Sequence, residues 1–137
     1  MAFFVCENEI EIIGGTEAER GRAAGLILVL DCVDEDSSTS SESAGPAASL
    51  VLRFKSVDGL PEEELVALAP QFPELSFTLV YFSLDGEFFG YARSGAGGQA
   101  AESDDLDEAA RELVGRRHDG DGLAFVRARY SLPRAGA

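Results

Sequence analysis

Carboxylates are the residues of this chain best suited to acid–base chemistry, and two groups of them stand next to each other in the sequence. Glu62, Glu63 and Glu64 follow a proline, and Asp104 and Asp105 precede an apolar stretch. Neighbouring residues of a helix do not face each other, and the positive end of a helix attracts acids for structural reasons alone. We therefore interpret both groups as the first turns of helices and predict no catalytic residues and no enzymatic activity.

The other candidates for catalysis or metal binding are equally sparse. The single histidine, His118, lies in a polar turn, HDGDG, which is too short for a calcium loop and lacks its closing glutamate. The glycine-rich stretch from Ser94 lacks the lysine and following Ser or Thr of a phosphate loop. Cys6 and Cys32 are too few for a zinc site, so we expect reduced, buried thiols, with a bridge between them as the alternative. The sequence predicts no metal and no cofactor.

One surface has the residue types of a binding site. The strand predicted over residues 49–57 alternates apolar with basic side chains, and the next two predicted strands are rich in aromatic residues. Pairing of those two strands around a two-residue turn at Asp85-Gly86 brings their aromatic residues to one face. A last strand, predicted over residues 123–130, adds two arginines. The candidate interaction face consists of Arg53, Lys55, Phe82, Phe89, Tyr91, Arg93, Arg127 and Arg129.

Three interpretations of this face remain open. Apolar sheet faces are usually buried, so the N-terminal strand and helix, or a second copy of the chain, would cover it. Aromatic and arginine side chains are also favoured in the centres of interfaces, which points to a protein partner or a homodimer. Alternatively, Phe89 and Tyr91 would stack on the bases of a single-stranded nucleic acid while the basic residues of the face meet its phosphates.

The overall charge argues against nucleic acid. The chain of 137 residues has 11 Lys and Arg against 25 Asp and Glu, a formal net charge of -14. Such a field repels polyphosphates and anionic membranes and eases the approach of basic partners. The N-terminus has no signal-peptide pattern, and every apolar run is far shorter than the ~20 residues that cross a bilayer. We expect a cytoplasmic protein with a protein partner and no membrane association.

The elements that would position this face begin with an N-terminal extension, residues 1–33. NEIEIIGG, from Asn8, alternates as a half-buried strand does, and TEAE, from Thr16, has the pattern of a capping box that begins a helix. Leu26–Val33 fits a buried strand or a buried helix, and its β-branched residues favour the strand. The acidic, serine-rich residues 34–47 predict a flexible loop.

Residues 48–131 predict strand, helix, a hairpin of two strands, helix and strand. The segments are 49–57, a helix from Pro61 that Pro70 and Pro73 end, 75–84, 87–93, 104–117 and 123–130, with a loop over 94–103. This ferredoxin-like order places both helices on one face of a four-stranded antiparallel sheet, with the strands from Ser49 and Glu87 in its middle. We therefore predict a single α+β domain, with residues 132–137 as a flexible tail.

The segment from Phe72 to Gly90, FPELSFTLVYFSLDGEFFG, with LRFKSVDGLPEEELVAL before it, resembles the ferredoxin-like domain of the YubB-like proteins of plasmids and phages. NEIEIIGG resembles the opening strand of the same group. The chain departs from that group in lacking tryptophan and in its acidic insertion. The resemblance implies a fold and a mobile-element context, and it implies no activity or functional residues. We predict a non-enzymatic protein-interaction or regulatory module, with an acidic inhibitor or immunity-type protein as an alternative.

Overall fold

A computed structural model describes residues 5–43, 48–57, 59–83, 88–96, 98–105, 108–109, 112 and 121–130. These residues form an antiparallel sheet with helices on both of its faces, so the predicted α+β class is confirmed. In chain order the elements are β1 (Val5–Gly14), α1 (Glu17–Leu28), β2 (Val33–Ser43), β3 (Ser49–Val57), α2 (Glu62–Leu68), a 3-10 turn (Ala69–Gln71), β4 (Leu75–Ser83), β5 (Phe88–Gly95), β6 (Ala100–Asp105) and α3 (Asp121–Tyr130).

The six described strands lie in the order β2-β3-β1-β4-β5-β6, and each neighbouring pair is antiparallel. β1 lies in the middle, where Ile10 is opposite Leu52 of β3 and Leu79 of β4. The ferredoxin-like order is not confirmed, because β1 and β4 separate the strands that begin near Ser49 and Glu87. Hydrogen bonding along both edges of β1 explains the difference: the strand assigned to an extension joins the two halves of the sheet.

α1 begins with the predicted capping box. The Glu19 backbone N–H donates to Thr16 Oγ1 at 3.1 Å, and the Thr16 N–H donates to Glu19 Oε1 at 3.1 Å. The helix continues to residue 28, so the predicted strand over Leu26–Val33 is wrong. Ile27 is fully buried against the sheet, and this packing maintains the helix beyond two glycines that each cost about 1 kcal/mol in a helix interior.

The acidic, serine-rich segment forms an edge strand, so the flexible loop predicted over residues 34–47 is wrong for residues 34–43. β2 pairs with β3, with an irregularity of register between Asp34 and Thr39. Polar and acidic side chains suit an edge strand, because they discourage pairing with other molecules. The sequence of β2 alone does not indicate that β3 is available as its pairing partner. Residues 44–47 lie outside the described residues.

The loop predicted over residues 94–103 is shorter than expected, because β6 begins at Ala100 and pairs with β5. The helix predicted over residues 104–117 does not begin at Asp104 or Asp105, which end β6. Residues 108, 109 and 112 are helical, and the rest of that predicted helix lies outside the described residues.

The strand predicted over residues 123–130 is wrong, because these residues belong to α3. The segment LAFVRARY has apolar side chains at positions 125, 126 and 130, which a strand does not place on one face but a helix does. Val126 is fully buried against the sheet, and this contact favours the helix. His118 from the predicted turn, and the predicted tail over residues 132–137, lie outside the described residues.

The larger core lies between one face of the sheet and the helices α1 and α2. Apolar side chains from the four inner strands form most of its sheet side, and Ile27 of α1 and Leu65 of α2 close it from above. Complete burial of each such side chain stabilises the fold by about 1.5–3 kcal/mol. Cys6 is fully buried on this face, and both Cys6 and Cys32 are free thiols.

Close packing at Gly90 joins β4, β5 and β6. Tyr81 of β4 lies opposite Gly90, which in turn lies opposite Ser103 of β6. A Cβ atom at Gly90 would lie 2.6 Å from the Tyr81 hydroxyl oxygen and 2.3 Å from the Glu102 carbonyl oxygen. The Tyr81 ring therefore passes over the glycine toward β6. Burial, followed by the charge of Glu62, raises the pKa of Tyr81.

Gly90→Ala tests this packing. The added methyl group must displace either the ring of Tyr81 or the backbone of β6, so we expect a loss of about 1–3 kcal/mol in the free energy of unfolding. Gly21→Ala is the matched control, because its added Cβ would have no atom within 4 Å apart from its chain neighbours and the backbone of its own helix. We expect that control to stabilise the helix by up to about 1 kcal/mol. Equal denaturant midpoints for Gly90→Ala and the native chain would contradict the packing described.

Arg20 connects the end of β1 to β2 through a buried guanidinium. Its Nη1 donates to the carbonyl oxygens of Gly14 at 2.7 Å and Gly15 at 3.1 Å, and its Nε donates to Glu42 Oε1 at 2.7 Å. The residue is 4% exposed. Charge-assisted bonds of this kind are stronger than neutral ones, so Arg20 fixes the polar edge strand to the rest of the sheet.

Arg20→Ala is expected to lower the free energy of unfolding by roughly 2–3 kcal/mol, since the carbonyl oxygens of Gly14 and Gly15 and the Glu42 carboxylate lose a buried, charged donor. Arg22→Ala on the same helix is the control. Arg22 is exposed and lies 5.1 Å above the centroid of the Phe72 ring, so its loss should cost less than about 1 kcal/mol. Urea unfolding followed by circular dichroism measures both variants, and equal effects would contradict the special role of Arg20.

Candidate interaction surface

Six of the eight predicted interface residues share one face of the sheet. We call this the outer face; it lies opposite the face that packs on α1 and α2. Phe82 lies opposite Phe89, and Val80 lies opposite Tyr91, as the predicted hairpin requires. The Asp85-Gly86 turn itself lies outside the described residues. The outer-face residues of the prediction are Arg53, Lys55, Phe82, Phe89, Tyr91 and Arg93.

The aromatic half of the outer face is buried beneath α3. Phe89 is 0% exposed, Phe82 5% and Tyr91 7%. The Phe82 and Phe89 rings stack with their centroids 5.9 Å apart, and Phe125 of α3 meets Phe89 edge to face at 5.4 Å. Tyr130 packs on Tyr91 at 4.9 Å. The face is therefore covered, as one interpretation of the sequence held, but by the C-terminal helix.

The two arginines predicted on the last strand lie on α3 instead. The guanidinium carbon of Arg129 lies 5.0 Å from the centroid of the Phe125 ring and 5.5 Å from that of Phe89. A cation placed over aromatic faces is attracted by their quadrupoles. Arg129 thus reaches the predicted aromatic cluster from above, while nothing is described for the side chain of Arg127 beyond its place in the helix.

The basic half of the outer face is balanced by carboxylates from neighbouring strands. Arg53 Nε lies 3.5 Å from Glu9 Oε2, and the two residues are directly opposite in β3 and β1. Lys55 lies opposite Glu7 on one side and Asp34 on the other. Opposite charges on facing strands attract each other. Arg53 and Lys55 therefore do not form a net positive surface, whereas Arg93 lies opposite Thr78 and Ala100.

Tyr130 and Asp104 connect α3 to the edge of the sheet. The Tyr130 hydroxyl donates to Asp104 Oδ2 at 2.6 Å. Burial of the phenol, followed by its hydrogen bond to Asp104 and the charge of that carboxylate, raises the pKa of Tyr130. The interaction face predicted from the sequence included neither Tyr130 nor Asp104. The spacing of Phe125, Val126 and Tyr130 was the signal that the last segment could be a helix with an apolar side.

A groove opens on the opposite face of the sheet, between α2 with its 3-10 turn and the strands β5 and β6. It consists of two adjoining cavities of about 520 and 260 Å³, which share Val66, Ser94 and Gln99. The larger one is lined mainly by small apolar residues and prolines, and the smaller one extends to Ala101 of β6 and Glu62 of α2. We call the two together the β6 groove. Val66 at its centre is 39% exposed.

The described part of the chain offers few alternatives to these surfaces. Within it, no cluster of three or more His, Cys, Asp or Glu residues is arranged to hold a metal ion. None of its helices is both long enough and apolar enough to cross a membrane. Comparison with protein-family models, curated proteins and solved structures finds no match. The resemblance to YubB-like proteins stays a prediction.

Alkaline titration tests the contact between α3 and the sheet. Because the folded state raises the pKa of Tyr130, the hydroxyl contributes stability below its ordinary pKa of 10.0, and this contribution is lost as the pH rises above it. We expect tyrosinate absorbance of the folded protein to rise at higher pH than that of the unfolded chain. Tyr130→Phe should lower stability at neutral pH by about 1 kcal/mol and reduce the alkaline loss. Identical titration curves for folded and unfolded protein would contradict the contact.

Proposed function

We propose that the protein is a non-enzymatic interaction module that binds a basic protein partner through its acidic surface. The proposal includes an inhibitor or immunity-type role, in which carboxylates occupy a basic site of the partner. A mobile-element context, implied by the resemblance to YubB-like proteins, is compatible with such a role. The observation that carries the proposal is the distribution of charge between the surface and the interior.

Acidic and basic side chains differ in where they lie. Among the described basic residues, Arg22 and Arg129 are exposed, and both lie over aromatic rings. Arg20 is buried with Glu42, and Arg53 is paired with Glu9. The acids, by contrast, include many exposed members on both edge strands and on the helices: Asp34, Asp36, Glu63, Glu64, Glu102, Asp104 and Asp105. The described surface is therefore predominantly negative, and its field accelerates the approach of a positively charged partner.

The same arrangement disfavours the nucleic-acid alternative. Stacking needs exposed aromatic faces, whereas Phe89 and Tyr91 are covered by α3. Phosphates need cations without competing anions, whereas Arg53 already has Glu9 at 3.5 Å. A nucleic acid would have to displace α3 and compete with the carboxylates of β1.

The ionisable groups with shifted pKa values also favour a binding role. Catalytic sites gather such groups in one cleft. Here burial, followed by the charge of Glu64, raises the pKa of Cys32, while the raised pKa values of Tyr81 and Tyr130 arise at packing contacts on opposite faces of the sheet. Each shift has a structural cause, and the three do not combine into a nucleophile and base.

Binding of matched probes tests this function. We expect a lysine-rich peptide to bind the full chain, with an affinity that falls as salt rises, because the attraction is electrostatic. A peptide of the same length with glutamine in place of lysine is the control, and we expect it to bind at least about tenfold more weakly. Fluorescence anisotropy measures both.

A single-stranded oligonucleotide is the competing probe. We expect no measurable binding at low salt, where electrostatic attraction is strongest. Oligonucleotide binding as tight as that of the lysine-rich peptide, or no peptide binding at low salt, would contradict the proposed function.

A further inference from the structure

We infer that an extended segment of the basic partner adds to the outer edge of β6 and places aliphatic side chains in the β6 groove. This inference rests on the proposed function and specifies its site. The proposed site combines a regular sheet edge, the adjacent β6 groove and a local negative charge that selects the occupant. Addition of a peptide strand to a sheet edge obtains affinity from main-chain hydrogen bonds and specificity from pockets for alternate side chains.

β6 presents the edge that such a segment requires. It is the last strand in the sheet order and pairs with β5 and with no other strand of the described residues. Its register against β5 is unbroken from Ala100 to Asp105, and all six residues are exposed. An exposed edge strand with a regular register offers its outer N–H and C=O groups to an added strand.

Small side chains produce the hollow beside this edge. Across the helix-covered face, one row of the sheet runs Leu79, Ala92 and Ala101 from β4 to β6. The side chains become smaller toward the edge while α2 remains above the sheet. The smaller cavity therefore lies between Ala101 and Val66. The next position in this row belongs to a strand added beside β6. An aliphatic side chain there would cover Val66.

Charge selects a basic segment in preference to a second copy of this chain. β6 carries Glu102, Asp104 and Asp105, and the adjoining cavity is lined by Glu62 and by one cation, Arg93, so acids outnumber bases at this edge. Pairing of β6 with β6 of another molecule would bring these acids together, and like charges on facing strands are destabilising. Lysine or arginine at alternate positions of a partner strand would instead face Glu102 and Asp104. Valine or isoleucine at the intervening positions would face the groove.

The other edge strand lacks these properties. β2 has a break in register between Asp34 and Thr39, and such irregularities protect an edge from pairing. Neither cavity of the β6 groove touches β2. The two edges therefore differ in geometry although both are acidic, and β2 supplies an internal control.

Two synthetic peptides of equal length and charge test the inference on the full chain. One alternates lysine with valine, and the other alternates lysine with glutamine. We expect the lysine–valine peptide to bind at least about tenfold more tightly, because its valine side chains are removed from water when they bind in the groove. Its addition should shift backbone amide NMR signals of residues 100–105 and of Val66, and leave those of β2 unchanged.

Ala101→Leu should fill the groove and lower the affinity for the lysine–valine peptide to that of the lysine–glutamine peptide. Ala18→Leu, on the exposed side of α1, is the control and should change neither affinity. If both peptides bind equally to the native chain, or if the NMR shifts cluster on β2, the inference is wrong while the proposed function survives. If neither peptide binds, the proposed function fails with it. The shift map of the native chain decides the matter even if Ala101→Leu does not fold.

Discussion

The position of β1 between β3 and β4 is the constraint on which the rest of the structure depends. A strand bonded along both edges fixes the register of its two neighbours at once, because a slip of one residue would turn every side chain to the other face. Ile10 and Ile12 then point into the core beneath α1, while Glu7, Glu9 and Glu11 join the outer face. Without β1 the sheet would separate into two pieces.

This central strand also changes the electrostatic character of the outer face. The basic residues of β3, considered alone, form one side of a cationic strip. Once β1 lies beside them, Glu9 meets Arg53 and Glu7 lies opposite Lys55. α3 covers the aromatic remainder of that face. A surface that had the residue types of a nucleic-acid platform thus becomes part of the interior and of a balanced charge network.

Among the described residues, both edge strands of the sheet carry exposed acids. Exposed edge strands of different molecules can pair with one another, and charges of one sign on both strands prevent this pairing. The same charges attract a strand of opposite sign. The β6 edge therefore discourages self-pairing and favours a basic partner. The β2 edge has an irregular register and is connected to the rest of the sheet by Arg20 and Glu42, and it discourages both self-pairing and pairing with a basic partner.

The sequence by itself determined the features that depend on neighbours along the chain. The capping box at Thr16, the strand at Ser49–Val57 and the pairing of Phe82 with Phe89 all follow from local spacing, and the structure contains each of them. The fold class followed from the same patterns.

Tertiary structure alone decided the features that depend on distant segments. The acidic residues of β2 are a strand because the edge of β3 is available, and LAFVRARY is a helix because the aromatic face of β4 and β5 accepts its apolar side. The same physical reason applies to the candidate surface. Six of its eight residues were correctly placed on one face of the sheet, whereas Arg127 and Arg129 lie on α3. Burial and charge balance are properties of the segments that folding brings to that face, and local periodicity does not encode which segments those are.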